Sequence, residues 1–169
     1  MVTLPIATER LELRPYRRGD IPQIHAILYG DAQARRLTGG VSDIAETQAT
    51  IERYIERQEL DGYSFWAVVG RETGEIVGEA GLKPLEDEGP EVELGYAFGP
   101  EFWGRGYATE AARAVLDEAF GSLGLERVVA VTHEANTGSR RVLAKLGFAA
   151  AGRHKSQDAG LLYFVLERG

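Results

Sequence analysis

No cysteine occurs in the 169 residues. That excludes disulfides, a thiolate zinc site and a thiol nucleophile. It fits a reducing compartment, and a cytoplasmic location is expected. No apolar run approaches the ~20 residues of a membrane span. The opening MVTLPIATER lacks the basic start and apolar centre of a signal peptide. No membrane partner is expected. Histidine is scarce: His25, His133 and His154 lie far apart without ligand spacing, so each reads as an ordinary surface or core residue and no metal is expected. Positive charge is also in short supply. The net charge of −7 makes nucleic acid a poor partner and basic or amine partners acceptable ones. No internal repeat, low-complexity tract or linker appears, so residues 1–169 are expected to form a single domain.

Hydrophobic residues at 44% and charged residues at 27% describe a globular chain with a real core. Arg10 to Arg14 alternates polar and apolar, as a half-buried strand does. Ile21, Ile24, Ile27 and Leu28 mark one helix face, with Pro22 in the first turn. A loop with Gly39-Gly40 leads to a second helix, from about Ala45 to Leu60. Phe65 to Val69 and Glu75 to Leu82 read as a hairpin of strands around Thr73-Gly74. After the acidic turn Glu86-Asp87-Glu88-Gly89, a strand follows from Glu91. Arg127 to Thr132 reads as a buried strand. Thr137 to Leu146 is a helix stopped by Gly147, and Phe148 to His154 and Leu161 to Leu166 close a sheet.

The stretch from Leu94 to Ala119 organises the rest. Leu94 to Phe98 is apolar and aromatic, as strands prefer, and Gly99-Pro100 stops it. The loop Trp103-Gly104-Arg105-Gly106-Tyr107-Ala108 opens directly into a helix whose buried face is Ala108, Ala111, Ala112, Val115, Leu116, Ala119 and Phe120. Bare first-turn amides and the helix dipole make such a start an anion site. Arg105 is a candidate for an added charge-assisted contact. A phosphate is expected here. A Walker loop would need Lys-Ser/Thr after Gly106, where Tyr107-Ala108 stand. A dinucleotide fingerprint would need a small residue at Thr109 and an earlier strand.

The wording Gly95-Tyr96, then Trp103 to Ala111, resembles the pyrophosphate loop of the GNAT superfamily of acetyl-CoA-dependent N-acetyltransferases, in its ribosomal-protein N-terminal acetyltransferase branch. Thr8 to Pro15 resembles that branch's opening strand, and Asn136 to Phe148 its second signature. The superfamily's Gln or Arg is replaced by Trp103, which is common in the branch. The resemblance implies an α/β fold: a mixed, mostly antiparallel six- to seven-stranded sheet with helices on both faces. It implies that Gly104, Gly106, Ala108 and Thr109 offer amides to the pyrophosphate of acetyl-CoA. It also implies that Tyr96, Ala97 and Phe98 pair with the pantetheine arm, and that Asn136 contacts the cofactor's amides.

Acetyl transfer from a thioester needs a neutral amine, a polarised carbonyl and a stabilised leaving thiolate. In many family members a Glu at the place of Glu93 takes the amine proton. The plain alternative is a solvated strand face shared by Glu91 and Glu93. Glu79, on the neighbouring strand, is the second candidate, with the same alternative. Ser139 is the candidate acid, since the Tyr of other branches is replaced by Leu143; Asn136 and Ser139 also suit a helix start. Gly138 breaks helix preference there. Tyr63, Phe65 and Trp66 suit a buried strand more than an acceptor wall. Glu86, Asp87, Glu88 and Glu91 suit a solvated turn more than an amine lure.

The expected activity is direct acetyl transfer from acetyl-CoA to a primary amine in a ternary complex. The acceptor is a protein N-terminus or a small amine, and the enzyme a monomer or homodimer. The alternative is a catalytically silent acyl-CoA-binding regulatory module.

Overall fold

Alternation of apolar residues builds the sheet first. In the computed structural model, which describes residues 1–154 and 160–169, eight strands form one sheet. They are β1 (Ile6–Ala7), β2 (Leu11–Arg14), β3 (Phe65–Gly70), β4 (Ile76–Pro84), β5 (Val92–Phe98), β6 (Arg127–His133), β7 (Ala149–Arg153) and β8 (Leu161–Glu167). Their order is β1-β2-β3-β4-β5-β6-β8-β7. Every neighbouring pair is antiparallel except β5 with β6. The mixed, mostly antiparallel sheet is as expected, with one strand more than the upper expectation of seven. The addition is β1, whose two residues are too few to leave a periodic signal.

Both faces of the sheet are covered. Trp66 and Val68 of β3 enter one core, beneath α3 (Tyr107–Phe120) and α4 (Thr137–Leu146). Ala67 and Val69 enter another, beneath α1 (Ile21–Ile24) and α2 (Ile44–Asp61). The expected face of α3 is buried through Ala111, Ala112, Val115, Leu116 and Ala119. Its fully buried Val115 alone is worth about 1.5–3 kcal/mol. At the start of α2, Asp43 accepts from the Glu46 amide and Glu46 accepts from the Asp43 amide, both at 2.8 Å. Such a reciprocal cap stabilises a helix by roughly 1 kcal/mol.

The first helix departs from its pattern. It is α-helical only to Ile24, and His25–Tyr29 widens into a π-turn. The Gly30 amide closes that turn on the His25 carbonyl, five residues back, at 2.7 Å. A Cβ at Gly30 would press on the His25 ring and carbonyl, so glycine is needed here. The wider turn delivers Tyr29 to the sheet. A helical apolar pattern does not report the extra residue, because it assumes 3.6 residues per turn throughout.

Register sets the site. Glu79 lies opposite Ala97, Gly81 opposite Gly95, and Lys83 opposite Glu93. These residues alternate onto the face beneath α1 and α2. Phe65 lies over Gly95, where an added Cβ would drive into its ring.

Candidate active site

The parallel neighbours β5 and β6 are paired only at Glu93 and Val129. Beyond that point they diverge, and a cleft of about 820 Å³ opens between them. Glu93 lines its vertex. From there the lining runs along Tyr96, Ala97 and Phe98 to Trp103, Gly104, Gly106, Tyr107, Ala108 and Thr109, then across to Asn136 and Ser139. Of the residues expected to bind the cofactor, only Arg105 does not line this cleft. Its guanidinium donates to the Glu101 carbonyl at 3.1 Å and lies 5.6 Å from the centre of the Phe102 ring.

Local geometry prepares the loop for an anion. Gly104 and Gly106 turn with φ of 74° and 79°, in the left-handed region that glycine enters without strain. Helix α3 begins at Tyr107 with no side-chain cap from Gly106. Its first-turn amides are therefore left open to a ligand, at the positive end of the helix dipole. A clamp fixes the loop from behind. Glu110 accepts from the Thr8 hydroxyl at 2.7 Å, the Arg10 amide at 2.8 Å and Arg10 Nε at 2.7 Å. Arg10 Nη1 then donates to the Arg105 carbonyl at 2.7 Å, and the guanidinium lies 4.7 Å from the Tyr107 ring centre. Burial pushes the Glu110 carboxyl up, but the bonds from Thr8 and Arg10 hold it below its usual range. The Trp103 indole donates to the Phe98 carbonyl at 2.8 Å, joining the loop to the end of β5.

Across the cleft, Asn136 caps α4 by accepting from the Ser139 amide at 3.1 Å. The Tyr96 hydroxyl donates to the Ser139 carbonyl at 3.1 Å and lies 3.0 Å from Ser139 Oγ. This contact joins β5 to α4. Burial pushes the Tyr96 hydroxyl up to about 12, against the opposing pull of Ser139. Nothing in the sequence spacing joins Tyr96 to Ser139, since the contact spans 43 positions.

The two candidate bases differ. Glu93 is not on a solvated face: its side chain is 14% exposed, and among the described residues its ion-pair partner is Lys83, at 3.6 Å. Burial raises its pKa, and Lys83 pulls part of the way back. Glu79 is more deeply enclosed, at 4% exposure. It accepts from Tyr16 at 2.7 Å and from Tyr29 at 2.8 and 3.0 Å. Burial raises its pKa too, opposed by the two tyrosine bonds. Glu79 does not line the cleft. The solvated-strand alternative fails for both residues.

The remaining residues fall into place as structure. Trp66 is fully buried and donates to Gln58 at 2.7 Å. Phe65 packs on Tyr54, with ring centres 5.1 Å apart. His25 Nδ1 lies 2.7 Å from the Thr47 hydroxyl, and His133 Nδ1 accepts from the Ala135 amide at 3.1 Å. Among the described residues no group of three or more His, Cys, Asp and Glu has metal-binding geometry. In the acidic turn, Asp87 meets Arg57 at 3.2 Å and Glu86 meets His154 at 3.5 Å. Glu91 accepts from the Tyr163 hydroxyl at 2.6 Å. Glu86, Asp87 and Glu88 are exposed, as expected of a solvated turn. No described helix is long and apolar enough to cross a membrane.

Known proteins share this architecture. Residues 10–149 match the family described as acetyltransferase (GNAT) domain. YoaA of Bacillus subtilis, named an uncharacterized N-acetyltransferase, is 30% identical over 149 residues, which cover 87% of this chain and 84% of YoaA. The crystal structure of an acetyltransferase from Agrobacterium tumefaciens superposes with a TM-score of 0.85 at 27% identity, covering 99% of this chain and 96% of that one. RimL, a ribosomal L7/L12 alpha-N-protein acetyltransferase solved with coenzyme A, shares the fold at a TM-score of 0.80 and 18% identity, over 95% of each chain. By the family match over residues 10–149, this chain belongs to the GNAT acetyltransferase family and is an acyltransferase.

Proposed function

We propose that the chain moves the acetyl group of acetyl-CoA directly to a primary amine, with Glu93 as the base. One observation carries this reading. The β5–β6 divergence leaves a buried carboxylate at the vertex of a cleft whose mouth holds an uncapped helix start. The residues fit the co-substrate. The open amides of Gly104 to Thr109 hold its pyrophosphate. The free edge of β5 from Tyr96 to Phe98 pairs with its pantetheine arm. Asn136 anchors that arm from α4.

The amine nitrogen attacks the thioester carbonyl and gives a tetrahedral adduct. Glu93 takes the nitrogen's proton, directly or through a water, and the carbon–sulfur bond breaks. The departing thiolate takes a proton from the Tyr96–Ser139 hydroxyl pair; Glu93 returns its proton to solvent, and solvent restores the proton of the hydroxyl pair. A base with a raised pKa is better matched to neutral pH than an exposed carboxylate. We assign a protein α-amino group as the first acceptor to test. Its pKa near ~8 leaves a sizeable neutral fraction at pH 7, where a lysine near ~10.4 leaves almost none. The fold of RimL, an alpha-N-protein acetyltransferase, supports the same choice.

Thermal melting with acetyl-CoA, CoA, NAD and ATP tests the cofactor. At a hundred times its dissociation constant a ligand adds ~2.7 kcal/mol. A shift with acetyl-CoA and CoA alone is expected, and thiol release is then read with N-terminal peptides against small amines. No shift with either would remove the basis of the proposal. Binding without turnover on any amine would favour a silent acyl-CoA-binding module instead.

A further inference from the structure

The chain carries a net charge of −7, yet one wall of its cleft is cationic. Arg141 and Lys145 stand one turn apart on α4, an i,i+4 pair on a common face. Both line the cleft alongside Gly106. Lys145 also lines a second pocket of about 630 Å³, which it shares with Gly106 and Thr109. It therefore stands at the junction of the two, beside the loop.

Many cations elsewhere are matched. Arg10 pairs with Glu110, Arg14 with Asp20, Arg57 with Asp87, and Arg127 with Glu167. Among the described residues, neither Arg141 nor Lys145 has an ion pair or a side-chain hydrogen bond. Like charges at this spacing repel and weaken a helix. An anionic ligand along that face removes the repulsion.

We propose that Arg141 and Lys145 form a phosphate subsite for the ribose 3′-phosphate of coenzyme A, separate from the glycine loop. The assignment rests on the acetyl-CoA reading above. Coenzyme A carries three phosphate groups, and the loop accounts for the two of the pyrophosphate. The third is on the adenosine ribose, next to the pyrophosphate, so the surface flanking the loop meets it. On the cleft side that surface is α4. The second pocket is a poorer host, because Glu9, Glu110, Asp117 and Glu118 outnumber Arg113 and Lys145 in its lining and repel a dianion. The phosphate is thereby directed to α4, where Arg141 presents a planar fork and Lys145 a mobile point charge. The enzyme then prefers coenzyme A over compounds that lack the 3′-phosphate.

Calorimetry with CoA and with 3′-dephospho-CoA tests this. Wild type is expected to bind CoA at least about tenfold more tightly, the effect of a charge-assisted contact. In Lys145→Met and Arg141→Met the preference falls toward unity through weaker CoA binding, while dephospho-CoA affinity holds. Lys145→Arg keeps the preference, and raising salt from about 50 to about 200 mM shrinks it. Both positions are exposed on the helix, so the variants keep the fold. Equal wild-type affinity for the two compounds would overturn the subsite, as would variants that keep the full preference. If wild type bound neither compound, the acetyl-CoA reading itself would fall, and the subsite with it.

Discussion

Glu79 and Glu93 stand on adjacent strands and on the same face of the sheet. Burial raises the pKa of both. Their surroundings then diverge. Tyr16 and Tyr29 occupy both carboxylate oxygens of Glu79, and helix α1 with its π-turn closes over it. Glu93 has one ion-pair partner among the described residues, Lys83, and opens on the cleft. A raised pKa therefore does not by itself mark a base. Access to the reacting atoms and a spare lone pair separate the two roles. One carboxylate fastens α1 to the sheet, and the other is left to accept a proton.

Substitution separates the regions most sharply. Glu93→Gln keeps the side chain's shape and removes its basicity. Its turnover should fall by ~10²- to 10⁴-fold, with melting temperature and CoA affinity unchanged. Glu79→Gln should leave turnover per folded molecule nearly intact. Equal losses at the two sites would erase the distinction drawn here.

A smaller effect is expected at the cage. Tyr29→Phe leaves a buried carboxylate short of a donor and should cost about 1–3 kcal/mol in urea unfolding. The sign with pH follows from the bond it removes. Tyr29 lowers the folded pKa of Glu79, so its loss raises that pKa further above the unfolded value. Proton uptake then favours the folded state at low pH, and the variant's deficit grows as pH rises through the raised folded pKa of Glu79, above the unfolded carboxylate range. A deficit independent of pH would mean that Glu79 does not feel the change.

The mildest expected effect is at Lys83. Its charge pulls the Glu93 pKa down, so Lys83→Met should move the acid limb of kcat/KM to higher pH. An unmoved limb would show that some other group controls it.

The glycine loop and the two helices beside the cleft were legible in the sequence because their signals are local. The Gly104–Gly106 loop, the apolar stripe of α3 and the Asn136 start of α4 each lie within a few residues. Helix α4 was read with the bounds it has, Thr137–Leu146. The tyrosine cage was not legible, because its bonds to Glu79 span 50 and 63 positions. Charged strand residues normally face water, and no pattern along β4 announces that its second face is covered as well. The Arg10–Glu110 clamp was hidden for the same reason, although both residues lie in segments singled out for their wording. The outward turn of Arg105 depends on backbone direction between two left-handed glycines, which composition does not encode.

The most direct test follows CoA thiol release by wild type and Glu93→Gln with an N-terminal peptide amine, across about pH 5 to 9. CoA affinity is measured on the same preparations. Wild-type turnover rising through a carboxylate pKa above the usual range, and a variant that binds CoA normally but turns over at least ~100-fold more slowly, would establish Glu93 as the base at the cleft vertex. Unchanged turnover in the variant would contradict it.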